Sequence, residues 1–118
     1  MNSRFELHSD DIGRVSFRLT DGSGDLLLQG LPSNGKIAAQ AEVMHVRSAL
    51  SGEERVVTHR NVDGRHFVVV KDRNGEVLGK SRLVDTEAEL PDLVAAILDI
   101  GRRAPIIDCT RKAARKGA

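Results

Sequence analysis

Aromatic side chains are nearly missing from this chain: Phe5, Phe17 and Phe67 are present, with no tyrosine and no tryptophan. The core must therefore be aliphatic. Stacking platforms for bases or sugars are scarce, which argues against sequence-tolerant binding of single-stranded nucleic acid. Cysteine is reduced to Cys109, so no intrachain disulfide can form, and the composition fits a reducing, cytoplasmic setting. The first eleven residues hold no apolar run suited to a signal peptide. No stretch approaches the roughly 20 apolar residues of a membrane-spanning helix, so a membrane role is not expected. Acid is missing from the last ten residues, which carry Arg111, Lys112, Arg115 and Lys116.

What is present suits one domain over residues 1–118. The apolar fraction is 40% and the charged fraction 30%, a globular balance. At this length a chain buries roughly two-thirds of its unfolded surface. The net charge of +1 hides an asymmetry: residues 1–108 hold all 17 acidic residues and 14 of the 18 basic ones, a net of −3. A mildly acidic body precedes a basic end.

The chain matches itself at an offset of 51 residues. Gly13-Arg14 answers to Gly64-Arg65, Asp21 to Asp72, Gly24 to Gly75, Asp25 to Glu76, and Leu26-Leu27 to Val77-Leu78. His8 falls opposite His59. Gly30 answers to Gly79 at an offset of 49, which reads as a small length difference after the third strand. The units are repeat one, about 4–50, and repeat two, about 55–108, with 109–118 as a flexible basic tail.

Each unit alternates like a strand-rich meander. Val15, Phe17 and Leu19 alternate with Ser16, Arg18 and Thr20, the period of a half-buried strand. Asp21 to Gly24, Asp63-Gly64 and Arg73 to Gly75 are turn chemistry, since glycine accepts positive φ. Asp63-Gly64 predicts a two-residue hairpin. A helix is predicted from about Asn34 to Leu50, with Ala39, Val43, Val46 and Leu50 as its stripe and Ile37 and Met44 to one side. The second helix opens on Thr86-x-x-Glu89, a capping-box pattern. Leu90, Leu93, Val94, Ile97, Leu98 and Gly101 make its apolar face. Arg102 and Arg103 follow, where cations favour the helix dipole. Ala104 to Asp108 reads as a final strand. The predicted core is Phe17, Leu19, Val43, Val46, Val68, Leu93, Val94, Ile97 and Leu98.

Phe17-Arg18-Leu19-Thr20-Asp21-Gly22-Ser23-Gly24-Asp25-Leu26, Phe67 to Val70, Asn74-Gly75-Glu76-Val77-Leu78-Gly79-Lys80-Ser81 and Ala104-Pro105-Ile106-Ile107-Asp108 resemble the YegP-like family of small uncharacterised bacterial proteins. The resemblance covers roughly residues 4–108. It implies a single continuous sheet with both helices on one face, the copies exchanging their last strands, and tandem members forming within one chain the pair that single-copy members form between two. The family's helix-opening tyrosine falls at Val84 and Leu31, and its Asn-Gly-Ile at Asp92-Leu93-Val94, so if the family carries a function at those positions it is not expected here. The resemblance implies no activity or ligand.

The expected fold is therefore α+β: two tandem strand-strand-strand-helix-strand repeats forming one antiparallel sheet with two helices on one face, in pseudo-twofold arrangement. With Asp63-Gly64 as a two-residue turn, His59, Asn61 and His66 share a face, but no further ligand falls at a metal spacing. No metal and no cofactor are expected. Cys109 beside a remote histidine is a conceivable nucleophile, but it lacks a glycine elbow, and the plainer reading is a small residue ending a strand. Asp10-Asp11, Asp21, Asp25, Glu53-Glu54 and Asp72 lie in turns, where such groups cap amides. Arginine suits anion recognition, so the candidate binding residues are Arg14, Arg18 and Arg65 with Arg111, Lys112, Arg115 and Lys116. The expected function is a non-catalytic binding or protein-interaction module, an internal pseudo-dimer that stays monomeric. One alternative is weak nucleic-acid binding through the tail and open sheet face. Another is a small-molecule sensor or enzyme using a cleft between repeats.

Overall fold

In a computed structural model, which describes residues 2–52 and 55–110, seven strands and two helices follow in order: β1 (Arg4–Ser9), β2 (Val15–Thr20), β3 (Leu26–Gly30), α1 (Lys36–Ala49), β4 (Val56–Arg60), β5 (His66–Lys71), β6 (Val77–Ser81), α2 (Leu90–Gly101) and β7 (Ile106–Asp108). The strands form one α+β sheet in the order β4-β5-β6-β3-β2-β1-β7. Among the described residues no helix is long and apolar enough to cross a membrane.

Four hairpin turns share one chemistry. Asp10, Asp21, Asn61 and Asp72 each accept, through one side-chain oxygen, the backbone amides two and four residues ahead at 2.8–3.0 Å. The fourth residue of each turn is a glycine at φ between 83° and 88°, the left-handed region where a side chain is strained. The turn at Asn61 thus spans Asn61–Arg65, closed by Asn61 N–H to the Arg65 carbonyl and Gly64 N–H to the Asn61 carbonyl. This corrects the two-residue turn expected at Asp63-Gly64. The added turn residue moves the register by one: His59 pairs with Phe67 and Arg60 with His66. A one-residue slip flips side chains to the opposite face, so His59 and His66 point to opposite sides of the sheet.

The sheet is mixed, not antiparallel throughout. Every neighbouring pair is antiparallel except β1 and β7, which run parallel with Phe5 opposite Ile106 and Glu6 opposite Ile107. A short turn forces antiparallel neighbours, and about a hundred residues separate β7 from β1. The exchange of last strands is one-sided. The strand after α2 crosses to β1, whereas among the described residues the strand after α1 is β4 itself, which pairs with β5.

Alternation sends Phe5, Leu7, Val15, Phe17, Leu19, Val68 and Val70 to the face covered by both helices, where they are buried with Val43, Val46, Leu50 and Ile97. Of the predicted core, Phe17, Leu19, Val43, Val46, Val68, Leu93 and Ile97 are buried, while Val94 and Leu98 pack at its margin. The buried line of α2 is Leu90, Leu93, Ile97 and Gly101, a narrower stripe than the run of apolar residues suggests. Ile37 and Met44 are exposed on α1, as their off-stripe positions predict. At the start of α2 the Glu89 carboxylate accepts the Thr86 backbone amide and hydroxyl, both at 2.9 Å, the reach-back half of a capping box. Pro91 occupies the first turn, where its missing N–H costs nothing.

The ends of the helices hold each other. Arg102 donates twice to the Leu50 carbonyl just past α1, at 3.0 and 2.8 Å. Arg47 of α1 donates to the Ala104 carbonyl beyond α2, with its guanidinium 5.4 Å from the centre of the Phe5 ring. Gly101 lets the helices meet, since a Cβ there would overlap Leu50.

Ile97→Ala is expected to lower unfolding stability in urea by about 2–5 kcal/mol, the range for a fully buried large-to-alanine change; a loss under about half a kcal/mol would place Ile97 outside the core. At Gly30 an added Cβ would overlap the Phe17 ring, so Gly30→Ala should cost about 1–3 kcal/mol through overpacking. A neutral result by the same measurement would mean that the ring moves aside freely.

Candidate functional site

With both helices on one side, the opposite sheet face is uncovered. One lateral row crosses all seven strands in register: Val57, Val69, Lys80, Gln29, Arg18, Glu6 and Ile107. Gln29, at the centre, accepts from Arg18 Nε at 3.1 Å and donates to the Gly30 carbonyl at 3.1 Å and the Ser16 hydroxyl at 3.3 Å. The Arg18 head is thereby oriented while remaining exposed. Toward β4, His59 stacks on Phe67 with ring centres 5.6 Å apart, and the Lys80 ammonium lies 6.0 Å from the Phe67 ring. This face mixes cations with a small aromatic and aliphatic surface.

Among the described residues, the predicted binding residues Arg14, Arg18 and Arg65 do not converge. Arg14 pairs with Asp10 at 3.0 Å in its own turn, and Arg65 pairs with Asp85 at 3.0 Å. Arg18 alone of the three extends from the open face. Arg111, Lys112, Arg115 and Lys116, and the tail beyond residue 110, lie outside the described residues. Cys109 and Thr110, which open that segment, are fastened: Cys109 N–H donates to the Leu7 carbonyl at 2.9 Å, and the Thr110 amide and hydroxyl both donate to Asp108. The groove between the halves, lined by Asp21, Leu27, Arg82, Glu89, Asp92, Leu93 and Ala96, has a volume of about 240 Å³, below the roughly 300–1,000 Å³ of small-molecule pockets.

A different group gathers at the β1–β7 edge. Alternation along β1 sets Arg4, Glu6 and His8 on the open face, and the parallel pairing of β7 carries Cys109 alongside. The donor atoms of Glu6, His8 and Cys109 all lie within 4.8 Å of one another. Glu6 Oε1 meets His8 Nε2 at 2.9 Å, and Glu6 Oε2 accepts from Arg4 Nε at 2.7 Å. The hydrogen bond with His8, with help from Arg4 and against partial burial, holds the Glu6 carboxyl below its ordinary value. Sequence reasoning passed over Glu6, although the Arg4-x-Glu6-x-His8 spacing was signal enough for two of the three residues. Nothing local pointed to Cys109 as its neighbour.

No family model matches the chain, and no curated protein matches it. Two solution NMR structures do resemble it. One is yegP from E. coli, a protein of unknown function: 24% identical, TM-score 0.85, covering 93% of this chain and 95% of that one. The other is a UPF0339 protein from Shewanella oneidensis: 19% identical, TM-score 0.86, covering all of both chains. The chain has the YegP-like fold. The likeness carries architecture and indicates no specific activity. Within this YegP-like fold, Val84 is buried and bridges to His66, and Ser33 makes the same bridge to Val15. Leu31, the other position where the resemblance placed the family's tyrosine, is half-exposed.

Asp108 anchors β7 from both sides, accepting Thr110 at 2.6 and 2.9 Å and Lys36 Nζ of α1 at 3.0 Å. The Thr110 hydrogen bonds, with Lys36 beside them, hold its carboxyl well below the usual carboxylate range. A carboxyl depressed on folding stabilises the fold above its ordinary value of 3.8 and loses that contribution as pH falls toward the folded value. Asp108→Asn should therefore be less stable than the parent at neutral pH, with the gap closing between about pH 5 and pH 2 in a pH series of urea unfolding. A gap independent of pH would show that the charge contributes nothing.

Proposed function

We propose that the chain is a non-catalytic binding module, built from two tandem copies of one unit, whose contact surface is the open face of the sheet. The observation that carries this reading is the uncovered row through Lys80, Gln29 and Arg18. It presents oriented, exposed cations next to the His59–Phe67 stack. Such a mixture of aromatic anchor and arginine suits a protein partner with acidic and apolar groups. Nucleic-acid binding is the weaker reading, because Arg14 and Arg65 are occupied by carboxylates.

The tandem, pseudo-twofold reading is supported by register. Phe5 faces Leu19 and Val56 faces Val70; Ser9 faces Val15 and Arg60 faces His66. The irregularity between Leu19 and Thr20 recurs between Val70 and Lys71. Each correspondence is an offset of 51. Across the junction Leu28 faces Ser81, Gln29 faces Lys80 and Gly30 faces Gly79, a pattern symmetric about Gln29 and Lys80 at the same offset. Gly30 and Gly79 are thus neighbours across the junction, and the length difference inferred from an offset of 49 is not needed. In this reading the pair forms within one monomeric chain, in the cytoplasm.

Charge reversal tests the surface. Proteins captured from lysate by the full chain should be lost with the double variant Arg18→Glu, Lys80→Glu and kept by Ile37→Glu on the exposed side of α1. Capture unaffected by the double variant would sink the open-face reading. Retention of a DNA or RNA probe that falls steeply with salt would favour the nucleic-acid alternative instead.

A further inference from the structure

We infer that Glu6, His8 and Cys109 form a binding site for a thiophilic divalent cation of the zinc class. The argument begins with donor chemistry. A carboxylate oxygen, an imidazole nitrogen and a sulfur are the three donor types zinc uses in proteins, and three protein ligands with an open fourth position make a recurrent arrangement. Zinc bonds of about 2.0–2.3 Å in tetrahedral geometry place donors about 3.3–3.8 Å apart. The three donor atoms here lie within 4.8 Å of one another, so modest side-chain rotations close the set.

The backbone beneath is held rigidly. Glu6 and His8 sit two apart on β1, and the 2.9 Å bond from Cys109 N–H to the Leu7 carbonyl sets the cysteine beside them. All three side chains are partly buried, which shields the cation without closing its entry. Arg4 engages Oε2 of Glu6 and leaves Oε1 toward His8, the orienting role that outer partners play around metal ligands. On binding, the thiol releases its proton to solvent, the proton on His8 Nε2 passes to Nδ1 or to solvent, and the Glu6–His8 hydrogen bond gives way to one metal bond from each residue. Glutamate and thiolate together balance a divalent charge. Among the other histidines, His45 pairs with Glu42 on the surface of α1, while His59 and His66 lie on opposite faces of the sheet.

Cobalt(II) is a spectroscopic probe for such a site. Titrating the full chain with Co²⁺ under reducing conditions should give a thiolate-to-cobalt charge-transfer band in the near ultraviolet, intense visible bands of four-coordinate cobalt, and saturation at one equivalent, with Zn²⁺ abolishing all three. Cys109→Ser should remove the charge-transfer band. His8→Ala and Glu6→Gln should each weaken binding by at least about tenfold, the scale on which even outer-shell changes act. The triple variant His45→Ala, His59→Ala, His66→Ala should bind as the parent does. Circular dichroism confirms that each variant is folded; if Cys109→Ser is not, His8→Ala and Glu6→Gln carry the decision. Absence of the charge-transfer band in the parent, or unchanged affinity in both His8→Ala and Glu6→Gln, overturns the site.

Discussion

Everything in this molecule rests on a three-residue junction. β3 and β6 pair only through Leu28 with Ser81, Gln29 with Lys80 and Gly30 with Gly79, yet this pairing makes two three-stranded meanders into one sheet. It also makes one core instead of two small ones. Half a chain of this length would bury only about 60% of its unfolded surface and be marginal alone, so the junction gives the halves a shared, larger interior. The two glycines permit it: a Cβ at Gly30 would run into Phe17, and one at Gly79 would press on Leu28 at 3.1 Å.

Above that junction the helices complete the pairing by exchanging hydrogen bonds. Arg102 serves the carbonyl at the end of α1, and Arg47 serves a carbonyl beyond α2. Helix ends leave carbonyls without partners, and a cation there also meets the negative end of the dipole. Once α2 is held this way, its C-terminus lies over the first half, and the chain has a short path to the free edge of β1. The parallel strand β7 follows, tied to α1 through Asp108 and Lys36. The Glu6, His8 and Cys109 group is the last link in that chain of constraints.

The two sides of the sheet divide the labour. The helix side is closed and mostly aliphatic, with Phe5 and Phe17 as its two aromatic rings. The open side carries the polar network centred on Gln29, the His59–Phe67 stack and the Glu6, His8 and Cys109 group at the β1–β7 edge. The edges differ too. β1 is covered by β7, whereas β4 ends the sheet with Thr58, His59 and Arg60 exposed. Polar and charged residues on an end strand discourage further strand addition.

Much of the fold was legible in the sequence because it is local. Period-two alternation located β2, the glycine-bearing stretches Asp21 to Gly24 and Arg73 to Gly75 located two of the turns, and the apolar stripe located both helices, each within a few residues. The turn at Asn61 shows the limit: Asp63-Gly64 suggests a two-residue hairpin, but the Asn61 side chain captures two amides and lengthens the turn, and that single residue decides which face each histidine occupies. Arg102 looked like a cap for its own helix, yet it caps the other. By itself the sequence determined which residues turn, which alternate and which form helix faces, since these depend on neighbours at most four or five positions away. Only the tertiary structure decided that β7 runs parallel to β1 and that Cys109 stands beside His8. Those outcomes depend on how surfaces a hundred residues apart pack together, and no local spacing encodes that.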